Sequence, residues 1–137
     1  MSHSRRVLVL CTGNSCRSQM AEAILNHDLA GRVQAFSAGT QPQPHVAEGA
    51  IAALEAAGLP VAGLYPKSLD ELLDQPFDLV ITVCDNAQES CPVFPRPVPR
   101  LHLPFHDPHG EPLESFLRVR DEIRTILIPA VRRALAL

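Results

Sequence analysis

The sequence lacks both a run of basic residues and a long apolar segment. Its 137 residues carry a formal net charge of −3, so no positive field gathers nucleic acid or an anionic membrane surface. No apolar run approaches the roughly 20 residues of a membrane span. The four apolar residues after Arg5-Arg6 are fewer than the roughly 7–15 of a secretory signal. We therefore expect a cytoplasmic protein whose partner is a small molecule or another protein, with no nucleic acid and no membrane involved.

Composition predicts one globular domain spanning residues 1–137. Hydrophobic residues make up 46% of the chain and charged residues 20%, which is a globular rather than a disordered composition. Only four cysteines are present. Because the cytosol keeps thiols reduced, they do not predict a disulfide framework, and their role must lie in reactivity or metal binding.

Short apolar runs and helical periodicities alternate along the chain. The predicted strands are Arg6–Cys11, Val33–Ser37, Phe77–Val83 and a short one near Arg100–Leu103. The predicted helices are Arg17–Leu29, His45–Ala57, a short one after the capping box Ser68–Glu71, and a C-terminal one that Pro129 should kink or break. This alternation predicts an α/β fold with a mostly parallel sheet covered on both faces. Ligands bind at the carboxyl ends of such strands, where Cys11 and Cys84 both lie.

The segment between the first strand and the first helix has the pattern C-x5-R-S. It comprises Cys11, Thr12, Gly13, Asn14, Ser15, Cys16, Arg17 and Ser18. A loop wrapped around a helix N-terminus points backbone N–H groups into one hollow, and Gly13 and Asn14 tolerate the positive φ that the wrap needs. There the pKa of Cys11 should fall below that of a free thiol, and Ser18 should donate a hydrogen bond to its sulfur. Arg17 should hold two oxygens of a tetrahedral anion.

Simpler interpretations exist for both cysteines of this segment. A lone Cys11 would be a small buried hydrophobic residue, but Arg17-Ser18 six residues later favours a nucleophile. Cys16 begins the helix and is predicted to pack inside the protein. The segment is not a nucleotide-binding P-loop, because no G-x-x-x-x-G-K-[ST] occurs.

The letters CTGNSCRSQMAE resemble the signature loop of the low-molecular-weight tyrosine phosphatase fold, in the version used by thioredoxin-coupled arsenate reductases. The resemblance extends to SAG at Ser37–Gly39 and FHDP at Phe105–Pro108, and so through essentially the whole chain. It implies a three-layer sandwich with a central four-stranded parallel sheet flanked by helices. It also implies that Asp107, presented by the following proline, is the general acid.

The spacing C-x6-C between Cys84 and Cys91 matches the redox segment of the same reductases. The resemblance implies that Cys11 displaces an oxygen from arsenate and that Cys84 then attacks Cys11, releasing arsenite. Cys91 resolves the disulfide to Cys84–Cys91, which thioredoxin or another thiol-disulfide protein reduces. If residues 84–91 are helical in the reduced enzyme, that helix must unwind to bring the two Cα atoms within about 7 Å.

Two rival functions stay open. A tyrosine phosphatase would use the same loop and Asp107, but such enzymes line the cleft with aromatic residues, and this chain has no Trp and only Tyr65 as tyrosine. A zinc site or thiol sensor would leave Arg17 and Asp107 unexplained, and C-x4-C and C-x6-C are wider than the usual knuckle. No metal or cofactor is therefore predicted.

The resemblance also concerns a cation. Asn14, Glu22 and Ser37 fit positions that shape the loop and help to bind potassium in some relatives, but the Thr and Asp completing that site are missing around Pro66–Asp70. Lys67 either puts its ammonium where the ion would lie or is a solvated surface residue. No role is assigned to the histidines, because they show no metal-ligand spacing: His3, His27, His45, His102, His106 and His109.

Overall fold

The structure is a computed structural model that describes residues 4–85, 94 and 97–137. The strands are β1 (Arg5–Cys11), β2 (Val33–Gly39), β3 (Leu79–Thr82) and β4 (Arg100–His102). The α-helices in this part of the chain are α1 (Arg17–Asp28), α2 (Glu48–Ala56) and α3 (Leu113–Leu135). A single turn of 3-10 helix, Leu69–Glu71, stands where the capping box predicted a short helix. None of the helices described is long and apolar enough to cross a membrane.

The four strands form one parallel sheet in the order β2-β1-β3-β4. Residues Val7 to Leu10 of the central strand β1 are all fully buried. Because successive residues of a strand point to opposite faces, this run shows that both faces of the sheet are covered. The predicted α/β fold with a four-stranded parallel sheet is confirmed.

The C-terminal helix α3 packs through one apolar face, whose residues Phe116, Val119, Ile123, Leu127 and Val131 are all buried. The helix runs through Pro129 without interruption, so the predicted break does not occur. Proline removes one main-chain hydrogen bond, but buried residues on both sides of it hold the helix together.

Helix α2 begins three residues later than predicted, at Glu48 rather than His45. The preceding residues bind the loop after β1: Gln43 N donates to Gly13 O at 2.8 Å and Ala47 N to Ser15 O at 2.8 Å. Ala47 itself has an extended main chain, with φ of −60° and ψ of 134°, so the helix begins only after it.

Candidate active site

The first two thiols of the predicted relay lie together at the carboxyl edge of the sheet. Leu10 pairs with Thr82 across β1 and β3, and Val83 N donates to Leu10 O at 3.0 Å, so the strands end side by side. Cys11 and Cys84 are both buried, and the Cys84 thiol lies close enough to act on the pKa of Cys11. Thr12 Oγ1 also lies 3.3 Å from Cys84 Sγ. Cys91 lies outside the described residues, so its place in the relay stays a prediction.

The loop after Cys11 is fastened along its outer side by main-chain hydrogen bonds. Four of its carbonyls accept bonds from the segment 40–47: Cys11 O from Thr40 N (3.3 Å), Thr12 O from Gln41 N (2.9 Å), Gly13 O from Gln43 N (2.8 Å) and Ser15 O from Ala47 N (2.8 Å). In a trans peptide the carbonyl and the next N–H point in opposite directions. The N–H groups that follow these carbonyls therefore face the inner side of the loop, where α1 also begins, and together they form a hollow suited to an anion.

Asn14 is the internal anchor of this loop. It has a φ of +49°, as the predicted wrap required, and it is fully buried. Its amide Nδ2 donates to Ser18 Oγ at 2.8 Å, and its Oδ1 accepts from Lys67 N at 2.8 Å. Positive φ was also predicted for Gly13, but Gly13 is not among the positive-φ residues of the described chain. A Cβ there would lie 2.9 Å from Gln43 Cγ, so the glycine makes room for a neighbour instead.

The prediction for Ser18 was wrong in its partner. Its hydroxyl oxygen accepts from Asn14, and no Ser18–Cys11 hydrogen bond is found among the described residues. The side chain is fully buried. Ser18 therefore holds the loop anchor, whereas the sulfur of Cys11 is engaged by Cys84 and by the N–H of Thr12.

Arg17 lines the same cleft as Cys11 and contacts the segment 105–107, while its hold on an anion stays a prediction. Its NH1 donates to Phe105 O at 3.1 Å, and its NH2 lies 3.6 Å from Asp107 Oδ2. The buried Nε has no partner among the described residues. A buried donor left without an acceptor costs about 1–3 kcal/mol. An oxyanion in the hollow could relieve that cost, and it would also meet the guanidinium charge.

The prediction of a lowered pKa for Cys11 is wrong for this paired state. The hydrogen bond with Cys84 and burial raise the pKa of Cys11 above that of an ordinary thiol, while the charge of Arg17 and the N–H of Thr12 act to lower it. The prediction considered only the loop amides and the helix terminus. A second thiol against the first was the missing factor.

Cys16 and Asp107 both lie within electrostatic reach of the Arg17 guanidinium. Burial and the negative charge of Asp107 raise the pKa of Cys16 to about 12, against the opposing charge of Arg17. This buried thiol fits the predicted packing role. The Asp107 side chain is 53% exposed, and its Oδ1 accepts from His109 N at 3.1 Å. Asp107 therefore lies at the exposed rim of the cleft, and its role as general acid stays a prediction.

Lys67 is a buried residue rather than a solvated one. Its ammonium donates to Tyr65 O at 3.0 Å and lies 3.5 Å from Glu22 Oε1. That same carboxylate oxygen accepts from Ser37 Oγ at 2.8 Å. The ammonium therefore lies beside Glu22, one of the residues that the resemblance named for a cation, and its taking the place of that ion stays a prediction.

The sequence analysis missed His102. Its Nδ1 lies 2.8 Å from Thr82 Oγ1 and its Nε2 lies 2.7 Å from Asp85 Oδ1. The imidazole therefore joins two residues that flank the Val83-Cys84 pair. The available signal was weak: an acidic residue directly after a strand-end cysteine, and a histidine on the next strand.

A cleft of about 590 Å³ opens above the loop. Cys11, Arg17 and Asp107 lie on its walls together with Gln43, His45 and Phe116. Within the described ranges 4–85, 94 and 97–137, no group of three His, Cys, Asp or Glu side chains could hold a metal ion.

Cys11, Arg17 and Asp107 thus share one cleft at the carboxyl edge of a parallel α/β sheet, which makes this cleft a candidate site for an oxyanion. Residues 6–132 match the model of the low molecular weight phosphotyrosine protein phosphatase family. The chain belongs to this family.

Its similarities within the family include arsenate reductases and a phosphatase. "Arsenate reductase 2" of Staphylococcus epidermidis is 37% identical over 123 residues, which cover 90% of this chain and 93% of that protein. The crystal structure of an arsenate reductase from Archaeoglobus fulgidus superposes with a TM-score of 0.74 at 35% identity, covering 87% of this chain and 93% of the other. A low-molecular-weight tyrosine phosphatase from T. tengcongensis has a TM-score of 0.79 at 27% identity, covering 95% and 99%.

Proposed function

We propose that the chain is an arsenate reductase that converts arsenate to arsenite through a Cys11–Cys84–Cys91 relay. The observation that carries the proposal is the pairing of the Cys11 and Cys84 thiols beside an anion hollow. A phosphatase needs one nucleophilic thiol, whereas reducing arsenate needs two electrons and therefore a second thiol within reach of the first. Similarity to proteins named arsenate reductase supports the same choice.

In the first step the Cys11 sulfur attacks arsenic, and one oxygen of arsenate leaves as water. Asp107 delivers a proton to the departing oxygen, and the proton that Cys11 gives up balances it. The buried Nε of Arg17 and the inward N–H groups hold the other oxygens. The product is a covalent adduct with a bond between sulfur and arsenic(V).

In the second step the Cys84 thiolate attacks the Cys11 sulfur. A sulfur–sulfur bond forms, the sulfur–arsenic bond breaks, and its electron pair reduces arsenic(V) to arsenic(III), which leaves as arsenite. The hydroxyl of Thr12, 3.3 Å from Cys84 Sγ, can donate to that sulfur and so favour its thiolate. Cys91 then attacks Cys84, which frees Cys11 and leaves a Cys84–Cys91 disulfide. Thioredoxin or another thiol-disulfide protein of the cytoplasm returns both sulfurs to thiols.

The test is a coupled assay with thioredoxin, its reductase and NADPH, run with arsenate and separately with an aryl phosphate. Cys84→Ser should keep aryl phosphatase activity and lose arsenate turnover, whereas Cys11→Ser should lose both. Cys91→Ser should stop after one event with a Cys11–Cys84 disulfide, visible by mass spectrometry after capping free thiols. Full multiple turnover of arsenate by Cys84→Ser would contradict the relay.

Aryl phosphate hydrolysis is the second candidate, since it needs only Cys11, Arg17 and Asp107. The family match and the similarity to a tyrosine phosphatase favour a residual activity of this kind. The scarcity of aromatic residues argues against phosphotyrosine as the main substrate, since the chain contains no Trp and one Tyr. We expect wild-type catalytic efficiency to be greater for arsenate than for the aryl phosphate.

A further inference from the structure

The imidazole of His102 bridges the two sides of the backbone segment that carries Cys84. Thr82 precedes Cys84 by two residues and Asp85 follows it directly. Thr82 and His102 are paired across β3 and β4, which brings the ring to the end of β3. Because a carboxylate only accepts hydrogen bonds, Nε2 must carry the proton given to Asp85. In the neutral ring, Nδ1 then accepts from the hydroxyl of Thr82.

We propose that His102 is a positioning residue for Cys84, an inference that rests on the proposed relay. Main-chain bonds already fix the residue before Cys84: Val83 N donates to Leu10 O at 3.0 Å, and Val83 O accepts from Phe105 N at 3.1 Å. The next residue, Asp85, is tied to β4 by its bond to His102. With both neighbours held, Cys84 stays against Cys11.

The position of the Cys84 sulfur matters for the rate at which it attacks Cys11. Attack on the Cys11 sulfur requires the Cys84 sulfur to approach in line with the sulfur–arsenic bond, and misplacement by about 1 Å can cost on the order of a hundredfold in rate. The hydrogen bond between His102 and Asp85 is also weak, because the Asp85 side chain is 79% exposed. An exposed side-chain bond can hold Cys84 for the first disulfide and still break when Cys84 has to pair with Cys91.

Three substitutions of His102 separate its two bonds. His102→Gln can reach the position of Nε2 and keep the bond to Asp85, and His102→Asn can keep the bond to Thr82. His102→Leu keeps only the volume of the side chain. In a Cys91→Ser background, the rate of Cys11–Cys84 disulfide formation is followed by alkylation and mass spectrometry. The disulfide is driven by arsenate, and separately by diamide, whose N=N bond takes the two electrons and two protons of the two thiols.

His102→Leu should slow disulfide formation about tenfold under both oxidants, and the rates of His102→Gln and His102→Asn should lie between those of His102→Leu and the parent. Aryl phosphatase activity should not change, because it does not use Cys84. Asp85→Ala, a change at an exposed side chain, should slow the reaction in the same way and add little to the effect of His102→Leu. His27→Leu is the matched control, since it removes an exposed histidine–carboxylate pair with Asp28 and should leave the rates unchanged.

Parent rates in His102→Leu and Asp85→Ala, or a parallel loss of aryl phosphatase activity, would overturn the inference. A parallel loss would mean that His102 only stabilises the sheet. The two oxidants separate this result from failure of the relay itself. Diamide could oxidise His102→Leu more slowly than the parent while arsenate oxidises neither the parent nor any variant. In that case the proposed function fails and the positioning role stands. If arsenate oxidises every variant equally fast, the positioning role fails.

Discussion

Cys11 ends β1 and Cys84 follows the end of β3 by two residues, and the bonds described around the two cysteines differ in kind. After Cys11, main-chain hydrogen bonds from residues 40–47 fasten the loop at several consecutive carbonyls. At Cys84, side chains supply contacts to both the thiol and the next residue: the hydroxyl of Thr12, and the ring of His102 acting through Asp85. The main-chain bonds make the loop of residues 11–17 a rigid cradle for an anion. A single side-chain bond, in contrast, can open by itself.

This difference teaches that anion binding and electron transfer are separable in this protein. Damage on the Cys11 side should impair every activity, since both arsenate and phosphate esters use the cradle. Damage on the Cys84 side should impair only the relay.

Arg17→Lys should have the largest effect. Lysine keeps the charge, but it loses the fork whose NH1 binds Phe105 O and whose Nε is free to meet an oxygen. We expect kcat/KM for an aryl phosphate to fall on the order of a hundredfold, and inhibition by phosphate and arsenate to weaken in parallel. Arg133→Lys, in the last turn of α3, is the control and should behave as wild type. Normal oxyanion binding by Arg17→Lys would mean that Arg17 is structural.

Gly39→Ala should damage the cradle through the backbone. A Cβ at this position would lie 2.5 Å from Thr12 O and 3.0 Å from Asn14 Cβ, closer than atoms can pack. We expect a loss of about 2 kcal/mol in the free energy of unfolding in urea, together with impaired activity on both substrates. Gly31→Ala is a matched control with open space around it and a φ of +81°, so only backbone strain of about 1 kcal/mol is expected, with activity unchanged. Full activity of Gly39→Ala would show that the loop is less rigid than its bonds suggest.

The sequence was sufficient for the sheet and for the loop. The strands β1 and β3 are short apolar runs, and the pattern C-x5-R-S predicted the strand, the loop and the helix on either side of it. The sequence pattern was insufficient where the pKa or the partners of a residue depend on another residue far away in the chain. The pKa of Cys11 depends on Cys84, 73 positions away in the chain. His102 likewise acquires its partners only when β4 pairs with β3.

Other errors came from competition for hydrogen bonds. The hydroxyl of Ser18 could have served the sulfur of Cys11, but it accepts from Asn14 instead. Residues 45–47 have helical periodicity, yet the main chain there serves the loop. Local propensity cannot decide such cases, because the winning partner is set by tertiary contacts. The same holds for Gly39, whose importance lies in how closely Thr12 approaches it.

Cys84→Ala tests how far the two sides influence each other. The hydrogen bond with Cys84 is the largest factor raising the pKa of Cys11, so its removal should lower that pKa. A lower pKa means more thiolate at a given pH, and the inflection of Cys11 alkylation against pH should move to lower pH. The measurement is alkylation by iodoacetamide, read on the Cys11 peptide by mass spectrometry. Cys16→Ala is the control and should leave the inflection in place; an inflection unmoved in Cys84→Ala would show that burial alone sets the pKa.

Lys67→Met should have the smallest effect, because it acts behind the cradle. Methionine keeps the apolar stem but removes the ammonium that binds Tyr65 O and neutralises Glu22. The Glu22 side chain is only 12% exposed, so its charge is left poorly compensated, and we expect a loss of about 1–2 kcal/mol in the free energy of unfolding. Potassium should restore part of that loss, since Glu22, Ser37 and Tyr65 offer oxygen ligands around the vacated position. Unfolding in potassium chloride is compared with unfolding in tetramethylammonium chloride at equal ionic strength, where the wild type should show no difference. Adding Glu22→Gln should abolish the potassium effect; if Lys67→Met shows none to begin with, the ammonium of Lys67 does not stand in for a cation.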